Sequence, residues 1–240
     1  MAANKVLLVD DDQGIIEVLK LYFEKEGYQV STCMQGDKAV GAFQSFAPDI
    51  VILDLMLPGM DGNDICREIR KTSDVPIIML TARDSDADYI EGLNLGSDDY
   101  FTKPFSPIKL VTKVKSLFAR LEASHNINVD ASDSELVFAD LKINRKTKSA
   151  TLKGNEINLT PNEYTLLTYL MINSDRAVPR VELLDKIWGY ETEIETRVAD
   201  DTVKRLRKKI SDSDARISTV WGYGFRLTDK SEQESDEAGE

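Results

Sequence analysis

At 240 residues and 42% hydrophobic composition, the chain is long enough to form two ordinary domains, each with its own core. A net charge of −12 argues against indiscriminate binding to nucleic acid, and a single histidine, His125, argues against a histidine-built catalytic or metal centre. No apolar run has the length of a membrane span, and Cys33 and Cys66 lack metal-ligand spacing, so a cytoplasmic protein with reduced thiols and no membrane partner is expected.

Up to about Arg120, apolar runs alternate with helical patterns. Val6, Leu7, Leu8 and Val9 lead into Asp10, Asp11 and Asp12. Ile15, Ile16, Leu19 and Phe23 then make a helical stripe that Gly27 terminates. Ile50, Val51, Ile52 and Leu53 lead into Asp54; Ile77, Ile78, Met79 and Leu80 into Thr81; Tyr100, Phe101 and Thr102 into Lys103. Short runs of this kind read as strands buried on both faces. The alternation predicts an α/β domain over residues 1–121, with five βα units and a doubly wound, five-stranded parallel sheet.

Open α/β sheets hold ligands beyond the carboxyl ends of their strands. One rim would therefore collect several carboxylates, a hydroxyl and an ammonium group, a site for one anion and one hard cation. Mg²⁺ suits such oxygen ligands, and an aspartate oxygen can act as a nucleophile toward phosphorus. Asp11 and Asp54 are expected to hold the metal, with Asp10 reaching it through water. Lys103 and Thr81 would take the remaining phosphoryl oxygens. Asp12 reads as a helix cap, and a cis peptide is expected between Lys103 and Pro104.

Residues 122–135 show no sustained period and read as a flexible linker. From 136 to 229 the pattern predicts an α+β domain. Short antiparallel strands run to Leu159, with a turn at Lys153, Gly154 and Asn155. Thr160, Pro161 and Glu163 form a capping-box start for a helix continued by Leu166, Leu167, Leu170 and Met171. A second helix is expected over 181–188, a third over 197–210, and a closing hairpin over 217–227. Residues 230–240 are acidic and read as disordered.

In the third helix Ala199, Val203, Leu206 and Ile210 share one face; Arg197, Asp201, Lys204, Arg205 and Lys208 lie opposite. Its cation density after two helices suggests a helix-turn-helix, with Arg205 reading a guanine edge and Lys204 and Lys208 on phosphates.

The motifs Val-Leu-Leu-Val-Asp-Asp-Asp from residue 6, Leu-Asp-Leu-Met-Leu-Pro-Gly-Met-Asp-Gly from 53, Leu-Thr-Ala-Arg from 80 and Asp-Asp-Tyr-Phe-Thr-Lys-Pro-Phe from 98 resemble the receiver domain of bacterial two-component response regulators. The resemblance covers residues 4–121. Over 136–228, Leu-Thr-Pro-Asn-Glu-Tyr from 159, Val-Lys-Arg-Leu-Arg-Lys-Lys-Ile from 203 and Gly-Tyr-Gly-Phe-Arg-Leu from 222 resemble the winged-helix effector of OmpR/PhoB-type regulators.

The first resemblance implies that Asp54 accepts phosphate from a sensor histidine kinase. Asp10, Asp11 and the Met56 backbone carbonyl would complete the Mg²⁺ site, and Thr81 and Tyr100 would form a switch pair. Dimerisation on phosphorylation would use Asp98, Asp99, Lys113 and Arg120, with Tyr89 and Lys109 standing where the family usually has a Lys–Glu pair. The second resemblance implies a double-stranded DNA operator with repeated half-sites, contacted by Arg197, Asp201, Thr202, Lys204, Arg205, Lys208 and Trp221. Asp201 replaces a usual apolar residue and Trp221 a common Arg. The loop 190–195 would meet RNA polymerase.

A dehalogenase-type phosphatase needs a second Asp two residues beyond its nucleophile, where this chain has Met56, and no Gly-x-x-x-x-Gly-Lys loop is present. The chain is therefore expected not to be an enzyme, beyond phosphorylating itself from a donor and slowly losing the group, with Met56 and Arg83 shielding it from water. The alternative is a phosphate-independent DNA-binding regulator with a vestigial receiver, against which the intact set of Asp10, Asp11, Asp54, Thr81 and Lys103 speaks.

Overall fold

The four apolar runs and a fifth, more polar strand form the predicted five-stranded sheet. In the computed structural model, which describes residues 4–82, 97–126, 135–189 and 196–230, strands β1 (Lys5–Val9), β2 (Gln29–Cys33), β3 (Ile50–Asp54), β4 (Ile77–Ala82) and β5 (Asp99–Lys103) lie parallel in the order β2-β1-β3-β4-β5. β3 is buried at every position and β1 at all but Lys5, whereas the edge strand β2 is mixed. Helices α1 (Gln13–Lys25), α2 (Gly36–Phe46), α3 (Gly62–Arg70) and the first part of α4 (Pro107–Asn126) complete the described part of this unit. Ile16, Leu19 and Phe23 bury the stripe of α1, and the Asp12 carboxylate caps it by accepting from the Gly14 and Ile15 N–H groups.

α4 continues to Asn126, into the segment expected as a linker from 122 onward. Glu122 and Ala123 favour helix by propensity, so the helix persists where the apolar period has ended. Of the rest of that linker, 127–134 lies outside the described residues and Glu135 begins a strand, and the acidic tail beyond Lys230 also lies outside them.

The chain divides into two compact units, Met1–Leu117 and Phe118–Glu240. In the second, β6 (Glu135–Phe138), β7 (Leu141–Asn144), β8 (Ser149–Leu152) and β9 (Asn155–Ile157) make an antiparallel meander. The expected turn stands between β8 and β9, with Lys153 and Gly154 both at positive φ (51° and 82°), as a tight hairpin requires. Then follow α5 (Pro161–Ile172), β10 (Val178–Pro179), α6 (Arg180–Leu183) and α7 (Thr196–Lys209). The hairpin of β11 (Ala215–Val220) and β12 (Gly224–Asp229) pairs with β10. Leu166, Leu170, Trp188, Val203, Leu206 and Phe225 lie in the core of this unit.

The helix expected over 181–188 is α-helical only to Leu183 and π-helical over Leu184–Trp188. Leu183, Leu184, Ile187 and Trp188 are all buried, a spacing of i, i+1, i+4 and i+5 that fits either winding. Among the described residues, no helix is long and apolar enough to cross a membrane.

Candidate functional site

β1 lies between β2 and β3, so chain direction across the sheet reverses at the β1–β3 seam, where such sheets hold ligands. Asp10 follows β1 and Asp54 ends β3, and Val9 and Leu53 are register partners. Asp10 and Asp54 are buried (1% and 4% exposed) while Asp11 is exposed, and one oxygen from each lies within 4.8 Å of the others. Lys103 enters from the end of β5, with its Nζ 2.8 Å from Asp10 Oδ2 and 3.0 Å from Asp54 Oδ1. The Lys103–Pro104 peptide is cis, as expected.

Burial pushes the Asp54 carboxyl up to about 6, and the charges of Asp10 and Asp11 add to the rise; the Lys103 ammonium opposes it without cancelling it. For Lys103 burial acts downward, but hydrogen bonds to Asp10 and Asp54 outweigh it and hold the pKa above the ordinary lysine value. One ammonium thus faces three carboxylates, which leaves negative charge to be matched. An all-oxygen set with excess charge fits a small hard divalent cation such as Mg²⁺. Met56, two residues beyond Asp54, has its side chain 61% exposed.

Gly62 belongs to this site although its role is not evident from the motif alone. A Cβ there would lie 2.3 Å from the Asp54 carbonyl oxygen and 2.8 Å from Leu55 Cα. Its N–H also donates to the Leu55 carbonyl at 2.9 Å. Only glycine lets α3 begin so close to the Asp54 peptide, and the Asp61-Gly62 pair was the available signal.

Thr81 is buried in β4, beside β3, and its hydroxyl donates to the Ala82 carbonyl at 3.1 Å. Tyr100 is buried in β5, and the Ser97 hydroxyl donates to its phenolic oxygen. The residues expected on a dimer face are placed differently. Asp98 is 2% exposed and accepts from Arg70 Nη2 at 2.7 Å and the Ile77 N–H at 3.0 Å. Asp99 is also buried, 3.1 Å from Lys113 Nζ of the same chain. A carboxylate at the buried start of β5 requires counter-charge from its own domain, and Arg70 and Lys113 supply it. Within the single chain these three residues are paired inside their own domain. Lys109 is exposed; Tyr89, Arg83 and the Arg120 side chain lie outside the described residues.

On α7, Ala199, Val203 and Leu206 are buried as expected, as is Ile210 just past its end, and Lys204 and Lys208 are exposed. Arg205 is a correction. Its side chain is 12% exposed, with Nε 3.3 Å from Glu163 Oε1 and Nη2 donating to Thr202 Oγ1 at 3.1 Å. Thr202 is fully buried and donates to the Val198 carbonyl, so it too faces the domain. The cause is Glu163, the capping-box acid of α5, which is 0% exposed and accepts from the Thr160 N–H and from Lys209 Nζ at 2.7 Å. A buried carboxylate has to be paired, and Arg205 and Lys209 are its partners. Arg207 also turns inward, donating to the Ile217 carbonyl and Thr219 Oγ1, each at 2.8 Å. Asp201 is half-buried and Trp221 is 92% exposed. The Arg197 side chain and the whole of the loop 190–195 lie outside the described residues.

Residues 6–115 match the family model described as response regulator receiver domain, and 154–227 the model described as transcriptional regulatory protein, C terminal. The uncharacterized transcriptional regulatory protein YclJ of Bacillus subtilis (strain 168) is 40% identical, over 93% of this chain and 98% of its own. The transcriptional regulatory protein ResD of the same organism is 39% identical, over 93% and 95%. A crystal structure of DrrB, an OmpR/PhoB homologue of Thermotoga maritima, is 33% identical over 94% of this chain and 99% of that one, with a TM-score of 0.49.

Proposed function

Given that the chain belongs to the two-component response regulators of the OmpR/PhoB family, with a receiver and a DNA-binding domain, we propose that Asp54 accepts a phosphoryl group from a sensor histidine kinase. An Asp54 oxygen attacks phosphorus, the new P–O bond forms as the P–N bond to the kinase histidine breaks, and the imidazole leaves. The observation that carries this reading is the convergence of Asp10, Asp11 and Asp54 on one point, with Lys103 bridging two of them. Mg²⁺ held by Asp10, Asp11, Asp54 and the Met56 carbonyl would neutralise charge on the transferred group. Lys103 and the Thr81 hydroxyl bind its other oxygens, and Tyr100 responds to the move of Thr81. The protein acts in the cytoplasm, catalyses nothing beyond its own phosphorylation and slow dephosphorylation, and contacts RNA polymerase through 190–195.

Phosphorylation promotes a receiver dimer that sets two effector domains on repeated half-sites. With Asp98, Asp99 and Lys113 paired within one chain, the interface relies less on ion pairs between copies. Beryllofluoride with Mg²⁺, which mimics the phosphoryl group, is expected to double the mass in solution and to raise affinity for a double operator at least about tenfold. Unchanged mass and affinity would instead mark a phosphate-independent DNA-binding regulator.

A further inference from the structure

We propose that Ser97 is a positioning residue for the phosphoryl response. Its hydroxyl holds the Tyr100 ring on the sheet face that Tyr100 shares with Thr81, so that an arriving phosphoryl group has only Thr81 to move. The inference rests on the phosphoacceptor reading above and deepens it with a residue one place before the motif that runs from Asp98 to Phe105.

Tyr100 is 8% exposed and Ser97 1%, and the Ser97 hydroxyl donates to the phenolic oxygen. A phenol so far from water needs a polar partner inside its own domain, and this hydroxyl is one. The backbone that carries Ser97 is fixed from several sides. The Asp98 N–H donates to the Ile77 carbonyl at 2.8 Å, and the Asp98 carboxylate is tied to Arg70 and to the Ile77 N–H. The Asp99 carboxylate is tied to Lys113 and accepts from the Tyr100 N–H at 2.9 Å. The corner that presents Ser97 to the ring is therefore held by β4 and by two ion pairs. It sets the place of the ring rather than following it.

Register brings that ring beside the site. In the parallel pair β4–β5, Met79 stands opposite Tyr100 and Thr81 opposite Thr102, so Thr81 and Tyr100 are diagonal neighbours on one face. The Thr81 hydroxyl donates to the Ala82 carbonyl, an ordinary bond between neutral groups. A charged phosphoryl oxygen offers that hydroxyl a bond roughly twice as strong, which draws Thr81 toward Asp54. A ring free to turn would have to be ordered beside Thr81 at the same moment. Apparent affinity for the group would then fall by the fraction of molecules in which the ring is in place. With Ser97 holding the ring, that fraction is already high.

The test uses the full-length protein, with beryllofluoride and Mg²⁺ standing in for the phosphoryl group. Ser97→Ala should weaken beryllofluoride binding, measured by calorimetry, about fivefold, the effect of one neutral hydrogen bond. Tyr100→Phe should do the same, and the double variant should bind no more weakly than either single one. A bond that served only the fold would alter urea unfolding and leave this affinity unmoved. In wild type labelled with fluorotyrosine, the signal that Tyr100→Phe removes should be shielded from a soluble paramagnet both before and after beryllofluoride is added. Wild-type affinity in Ser97→Ala would overturn the proposal, as would a Ser97→Ala loss that persists in the Tyr100→Phe background. A wild-type ring open to solvent until beryllofluoride binds would overturn it too. Binding to Asp54→Asn as tight as to the wild type would overturn the phosphoacceptor reading itself, and the role of Ser97 with it.

Discussion

Asp54→Asn is expected to abolish phosphoryl uptake and, in the metal-free protein at pH 7, to stabilise the receiver by about 1–3 kcal/mol. The folded protein raises the Asp54 pKa from 3.8 to about 6, chiefly through burial. At about 1.4 kcal/mol per pKa unit the ionised carboxylate costs the fold at most about 3 kcal/mol, and solvent around the exposed Asp11 screens part of that. A raised carboxylate pKa means that the folded state holds the proton more tightly than the unfolded chain. Its contribution to stability is therefore full below pH 3.8 and is lost as pH rises to about 6. Urea unfolding in EDTA should show Asp54→Asn ahead of the wild type at pH 7 and level with it near pH 4. Added Mg²⁺ should raise wild-type stability with concentration and close the gap, because ligand binding to the folded state stabilises it by mass action. A variant less stable than the wild type in EDTA at pH 7 would contradict this reading of the site.

Glu163→Gln should destabilise the C-terminal unit by about 3 kcal/mol, the low end for removing one partner of a buried ion pair. Gln retains a carbonyl oxygen for the Thr160 N–H but carries no charge for Arg205, 12% exposed, or Lys209, 32% exposed. Lys209 can swing toward water, which limits the loss; Arg205 cannot do so as freely. Removing the stranded charge as well, in Glu163→Gln with Arg205→Met, should recover part of the stability. Denaturation followed by the fluorescence of buried Trp188 reads the effect. If Arg205→Met instead leaves stability intact and changes which DNA sequence is bound, Arg205 is a base reader and the assignment made here is wrong.

These two sites differ in how far the sequence reveals them. Asp10, Asp54, Thr81 and Lys103 each follow or end an apolar strand, and a parallel sheet brings all strand ends to one rim. Local periodicity therefore specifies a long-range constellation. Arg205 has no such rule. A helical projection places it with Lys204 and Lys208, but its partner Glu163 is 42 residues away, on a helix whose packing angle no local pattern encodes. Thr202 turns inward without a local signal for the same reason. Asp98 and Asp99 look like surface acids because their counter-ions, Arg70 and Lys113, lie in other elements. The π-helical turn at Leu184–Trp188 was hidden because its apolar spacing suits both windings. The continuation of α4 to Asn126 depends on propensity after the hydrophobic stripe has stopped. Gly62 shows the opposite case: a turn signal is visible, but the reason for it, contact with the Asp54 peptide, arises only in the folded chain.

Phosphoryl signalling through this chain depends on one oxygen nucleophile at position 54. Its most direct test is mass spectrometry of the purified chain after incubation with acetyl phosphate, with and without Mg²⁺, using peptide mapping under conditions that preserve acyl phosphates. The predicted result is a single phosphoryl adduct on the peptide containing Asp54, dependent on Mg²⁺ and absent from Asp54→Asn. An unmodified Asp54 in the presence of Mg²⁺, or an adduct that persists in Asp54→Asn, would contradict it.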